Sequence, residues 1–237
     1  MRLPLLLALP HAGLSVPDEL VSYNRLDAAA IAADGDGGAR EIYGPLEGHV
    51  EALVTTQVAR AFVDLNRAED DRHRDGVVKT HTCWDVPVYD RELPEALVAE
   101  LLERYHRPYH RRLSELGRSG RFLLGVDCHT MAAFGPPVGP DPGAPRPRVN
   151  PGDGAGACPA PLFACFVQCL NEAFGAACVV ANQPFRGGYT VRHHGREMPW
   201  VQLELSRAED LDVEQKRRAV LRALETFCER WPAEAHP

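Results

Sequence analysis

The chain predicts an α/β fold: one domain over residues 1–237, built on a mixed, mostly parallel sheet with helices on both faces. Three observations carry this expectation. Leu5-Leu6-Leu7-Ala8-Leu9 and Phe122-Leu123-Leu124-Gly125-Val126 are continuous apolar runs of strand length, as expected of strands buried on both faces. Such runs alternate with segments whose apolar residues recur at helical spacing, a pattern that places helices on either side of a sheet. With 45% hydrophobic and 25% charged residues in 237, the composition is globular and allows one large core.

The first strand is expected at residues 3–9, running straight into Pro10-His11-Ala12-Gly13, so this apolar stretch is read as a strand rather than a leader peptide. Ser15, Pro17, Asp18 and Glu19 look like a helix start with acids in its first turn. Gly35-Asp36-Gly37-Gly38 breaks the chain. Apolar residues at helical spacing then predict a helix over residues 45–54, and residues 59–63 a short strand. Residues 93–116 read as a long amphipathic helix kinked or broken at Pro108. The buried strand at 122–126 ends at Asp127-Cys128-His129. Residues 135–156 are too rich in proline and glycine for a regular element and are expected to form a loop over the site. Beyond it, a helix is expected at 162–174, strands at 177–181 and 200–205, and a helix at 213–231.

A formal net charge of −7 argues against a general nucleic-acid or anionic-membrane surface, so an anionic ligand requires a locally basic pocket. The seven cysteines are odd in number and scattered, as suits reduced thiols and a cytoplasmic protein. Cys165 and Cys169 stand at helical spacing, where buried thiols are commoner than a metal pair.

His11 and His129 each follow an apolar strand, and loops beyond the carboxyl ends of strands converge in open α/β sheets. Two such histidines outline a zinc site, which needs about three protein ligands and an open position for water. Glu47 is the preferred third ligand, with Glu41 in reserve. Singly, either histidine is as well explained by a core hydrogen bond. In Trp200-Val201-Gln202-Leu203-Glu204-Leu205, Val201, Leu203 and Leu205 share one face, while Gln202 and Glu204 share the other. Glu204 is thereby a candidate general base, or else a solvated strand residue. Arg67, in Asp64-Leu65-Asn66-Arg67, suits two-pronged recognition of a carboxylate. Arg186-Gly187-Gly188-Tyr189 sets another arginine beside a flexible turn.

Pro10-His11-Ala12-Gly13, Val63-Asp64-Leu65-Asn66-Arg67, Arg107-Pro108-Tyr109-His110, Asp127-Cys128-His129-Thr130-Met131, Arg186-Gly187-Gly188-Tyr189 and Gln202-Leu203-Glu204-Leu205 form an ordered series. In that order they resemble the N-formylglutamate amidohydrolase family, over residues 10–207. Ala12 and Thr130 stand where the family often has serine. The resemblance implies a zinc-carboxypeptidase-like fold, kin to aspartoacylase, with one zinc per chain on two histidines and an acid. His11, Glu47 and His129 would be the ligands and Glu204 the base. Asn66 and Arg67 would hold the substrate carboxylate, with Arg60, Arg186 and Arg192 as secondary candidates. The implied activity is removal of an N-acyl group, such as formyl, from a small acidic amino acid. Deacylation of another N-acyl amino acid, a carboxypeptidase activity and a non-catalytic ligand-binding cleft are the alternatives.

Overall fold

In the computed structural model, which describes residues 2–234, five strands form one sheet in the order β2-β1-β3-β5-β4. They are β1 (Leu3–Leu9), β2 (Val50–Thr55), β3 (Leu124–Met131), β4 (Val149–Gly152) and β5 (Trp200–Ser206). β4 alone runs antiparallel to its neighbour; the other pairings are parallel. Among the described residues the α-helices are α1 (Ala28–Asp34), α2 (Ala39–Tyr43), α3 (Glu95–Leu101), α4 (Arg107–Gly117), α5 (Ala160–Phe174), α6 (Tyr189–His194) and α7 (Val213–Glu234).

The continuous apolar run of β1 serves two cores because successive side chains point to opposite faces. Leu5, Leu7 and Leu9 pack with Ile42 and Tyr43 of α2, Phe166 of α5 and Phe227 of α7. Leu6 and Ala8 pack with Ile31 of α1, Leu101 of α3 and Leu113 of α4. The sheet is therefore covered on both sides, as the alternation predicts. Cys165 and Cys169 lie buried in the first of these cores.

The polar face of β3 and β5 positions the site. Leu124, Val126 and Cys128 alternate inward with Val201, Leu203 and Leu205 of the neighbouring strand. The opposite face starts apolar, with Trp200 fully buried against Gly125, where a Cβ would lie only 2.3 Å from the indole. Further along this face the register sets Asp127 beside Gln202 and His129 beside Glu204. Four polar side chains thus occupy the carboxyl end of a buried pair of strands, all within 7% exposure.

Several elements differ from expectation. Residues 45–54 are a 3-10 turn (Gly44–Gly48) followed by β2, not a helix. Their apolar spacing mimics a helix because β2 is an edge strand of irregular burial. At residues 59–63 the chain turns, with Val58 and Ala59 bridging Ser15 and Gly13 instead of forming a strand. Residues 177–181 hold a 3-10 turn and a single bridge from Val179 to Val149. The helix start near Pro17 is only the short 3-10 turn Asp18–Leu20. The long helix is interrupted as expected: α3 and α4 are joined by the π turn Leu102–His106, which ends two residues before Pro108, whose missing N–H and bulky ring disfavour a regular α turn. Within the proline-rich segment, Val149-Asn150-Pro151-Gly152 is the edge strand β4, a position where proline is tolerated. No described helix is long and apolar enough to cross a membrane.

Candidate metal centre and active site

His11 leaves β1, His129 lies within β3, and between them stands Asp36, carried by the glycine-rich turn that joins α1 to α2. Each of the three offers a ligand atom, and these atoms lie within 4.8 Å of one another. Asp36 Oδ2 is 2.8 Å from His129 Nδ1 and 3.5 Å from His11 Nδ1. The turn is pinned by Thr130, whose N–H donates to Asp36 Oδ2 at 3.2 Å and whose hydroxyl donates to Gly37 O at 2.9 Å.

Both imidazoles are oriented from behind by acids. A carboxylate can only accept, so His11 Nε2–H donates to Asp64 Oδ1 at 2.8 Å and His129 Nε2–H to Asp127 Oδ2 at 3.0 Å. Each ring consequently presents Nδ1 to Asp36, an arrangement typical of metal-ligating histidines, whose second nitrogen commonly donates to a carboxylate. The charge count also suits a cation. Asp36, Asp64, Asp127 and Glu204 surround two imidazoles, with Arg60 compensating Asp64 at 3.1 Å. Burial would raise Asp36 and Asp64, but His11 with His129 in one case, and His11 with Arg60 in the other, hold them below the carboxylate range. Burial likewise disfavours the charged form of His129, yet Asp127 and Glu204 outweigh it and raise its pKa. These donors fit a divalent ion such as zinc.

Asp64→Asn and Asp127→Asn leave the ring-bearing strands in place but weaken these orienting contacts. Metal affinity is expected to fall by about 10- to 100-fold in each, measured by competition with a chelator.

Glu47 is not near this centre. It is exposed on the turn before β2, where His49 O accepts from Leu3 N at the start of β1. His11 leaves the other end of that seven-residue strand, so the sheet separates them by roughly 20 Å at about 3.3 Å per residue. Glu41 is exposed on α2, which turns Ile42 and Tyr43 to the core. The carboxylate that the fold brings beside the two histidines is that of Asp36. Its only signal in the sequence is an acid within the glycine-rich break Gly35-Asp36-Gly37-Gly38, which reads as punctuation of the chain.

Glu204 is 7% exposed, and its Oε1 accepts Gln202 Nε2–H at 3.0 Å. Burial pushes its carboxyl up to about 7, against the opposing pull of His129. Asn66 is structural in its contacts. Its Nδ2 donates to Asp127 Oδ2 at 3.0 Å, its Oδ1 accepts Thr190 N–H at 2.8 Å, and its amide packs so closely on Gly188 that a Cβ there would lie 2.2 Å away.

A cavity of about 540 Å³ opens over these groups, lined by His11, Asp36, Asn66, His129 and Glu204. Six arginines face it: Arg60, Arg67, Arg146, Arg186, Arg192 and Arg207. Asp34, Asp36, Asp64, Asp75 and Glu204 line the same cleft, so basic and acidic groups nearly balance there, and all four arginines named from the sequence are among the six. Pro136, Val138, Gly139 and Pro140 form part of the wall, which puts the proline-rich segment over the site. Arg207 went unnoticed in the sequence, being one of many arginines; it lies beside the Asp36 turn, donating to Gly35 O at 2.9 Å.

Beneath the turn, Lys79 and Asp34 form an ion pair at 3.0 Å with both side chains fully buried. Asp34 also accepts Cys83 N–H at 2.7 Å, and its carbonyl accepts Arg60 at 2.8 Å, so the end of α1 is fixed two residues before Asp36.

The comparisons with known proteins define first a class, that of hydrolases acting on a linear amide bond. More narrowly, the chain belongs to the N-formylglutamate amidohydrolase family, whose model matches residues 3–209. It is 28% identical to an N-formylglutamate deformylase of Pseudomonas putida, an alignment covering 99% of this chain and 96% of that one. The crystal structure of an N-formylglutamate amidohydrolase from Ralstonia eutropha JMP134 shares the fold with TM-score 0.75 and 21% identity, covering 98% of this chain and 95% of that one. A gene product of Agrobacterium tumefaciens does so with TM-score 0.78 and 18% identity, covering 98% and 92%.

Proposed function

We propose that the protein is a zinc-dependent amidohydrolase that removes the formyl group from a small N-formylated acidic amino acid, N-formylglutamate being the first choice. The observation that carries this is Glu204 standing in register with His129, which belongs to the His11–Asp36–His129 group. Membership of the family and the likeness to the P. putida deformylase support the substrate.

His11, Asp36 and His129 would hold one zinc ion, which when bound supplies Lewis-acid polarisation of the amide carbonyl and eases deprotonation of water. The residues of the chain then divide the remaining work. Glu204 accepts the proton of the attacking water as its oxygen bonds to the formyl carbon. The same carboxyl returns that proton to the amide nitrogen as the C–N bond breaks, yielding formate and the free amino acid. A buried carboxyl raised toward neutrality suits a group that both takes and returns a proton. Gln202 holds Glu204 through its amide. The arginines of the cavity attract and orient the anionic substrate.

The test is a panel of N-formyl, N-acetyl and N-aminoacyl derivatives of glutamate, aspartate and neutral amino acids, assayed for amine release by zinc-loaded protein. Fastest release from N-formylglutamate is expected. Preference for N-acetyl or dipeptide substrates would assign a different deacylase or a carboxypeptidase; no release from any would leave a binding cleft.

A further inference from the structure

We propose that Arg186 is the residue that grips a substrate carboxylate and so determines specificity for an acidic amino acid, an inference that rests on the amidohydrolase reading above. The guanidinium groups of the cavity are not equivalent. Arg60 gives its Nε–H to Asp64, and Arg67 donates to Asp75 through both Nε, to the carbonyl at 3.0 Å, and Nη2, to Oδ2 at 3.1 Å. Arg146 forks onto Asp141 at 2.8 and 2.7 Å. These three charges are already balanced by carboxylates of the protein, and a substrate would have to displace them.

Arg186 has no side-chain hydrogen bond or ion pair among the described residues, yet it lines the cavity. What separates it from an ordinary surface arginine is the fixation of its backbone. Its carbonyl accepts Gly154 N–H at 2.6 Å and Ala155 N–H at 3.2 Å. The preceding Phe185 N–H donates to Asn150 Oδ1 at 2.9 Å. Two residues on, Gly188 N–H donates to Gln202 Oε1 at 2.7 Å, and the amide of this same Gln202 holds Glu204. Gly187, at φ +111°, packs against Gly154, so this turn accepts no side chain and has little freedom. A charge without a partner is thus mounted on a main chain tied to the proposed base. Binding a carboxylate there costs little ordering of the backbone and breaks no existing ion pair.

The experiment compares wild type, R186M, R186K and R67M, all zinc-loaded, on N-formylglutamate and its two monoamides, N-formylglutamine and N-formylisoglutamine. With N-formylglutamate, R186M is expected to lose about 30- to 100-fold in kcat/KM, mainly through KM, as befits removal of one charge-assisted contact. With whichever monoamide lacks the recognised carboxylate, that penalty shrinks to within about threefold, by the logic of a double-mutant cycle. R186K recovers part of the loss. R67M is expected to act alike on all three substrates. A penalty for R186M that is absent, or equal on all three, overturns the proposal, as does a substrate-dependent penalty in R67M in its place. If wild type cleaves none of them, the hydrolase reading falls, and Arg186 is decided by calorimetry with glutarate. Binding weakened at least tenfold in R186M then supports its role, and unchanged or undetectable binding to wild type overturns it.

Discussion

Glu204→Gln is expected to lower kcat on N-formylglutamate by about 10²- to 10⁴-fold, the usual worth of a general acid–base group, while metal content stays at the wild-type level. The separation follows from the geometry. Glu204 is outside the group His11, Asp36 and His129, so its carboxylate is not needed to complete that donor set. Glutamine has the same shape and keeps an oxygen to accept Gln202 Nε2–H, so the packing at the end of β5 survives. Only the capacity to take and return a proton is lost. A variant that kept wild-type kcat would move the base elsewhere; a variant that lost its metal would make Glu204 part of the metal site. Steady-state kinetics and elemental analysis of one preparation distinguish these results.

The second large effect is expected at Asp36. Asp36→Ala removes the carboxylate that both Nδ1 atoms face, and one of about three protein ligands that a catalytic zinc requires. Metal content should fall from about one ion per chain to near zero, with activity falling in parallel. Glu47→Ala, at an exposed turn beyond the opposite end of β1, should change neither by more than about twofold, since surface substitutions away from a site are usually close to neutral. The pair of variants decides between a ligand placed by sequence and one placed by the fold. Retention of metal by Asp36→Ala, together with its loss from Glu47→Ala, would reverse the assignment.

How far the sequence reaches is visible in these two residues. The sheet and its central strands were legible because β1, β3 and β5 are long, apolar and bounded, and their alternation with helices restricts topology severely. His11, His129 and Glu204 were legible for the same reason: each sits at or just beyond the carboxyl end of such a strand, where parallel strands gather their functional groups. Asp36 was not, because it rides on a turn whose position depends on long-range contacts with Thr130, 94 residues away. The expectation for Glu47 has a second source. Residues 45–54 show helical spacing, and reading them as a helix gave Glu47 a helix-start position that β2 does not provide. Asn66 shows a related limit. Its neighbour Arg67 suggested a pair for binding a carboxylate, but the amide is spent on Asp127 and Thr190, and Arg67 on Asp75. Sequence supplies the residue types, whereas the partners that consume or release their hydrogen-bonding capacity appear only when distant segments meet.

The most direct test of a metal-dependent amidohydrolase is formate release from N-formylglutamate by the purified protein before chelation, after removal of the metal, and after addition of one equivalent of zinc. Metal-dependent hydrolysis predicts turnover that disappears with the metal and returns on stoichiometric addition. Turnover that persists at the original rate in protein verified to be metal-free would contradict it.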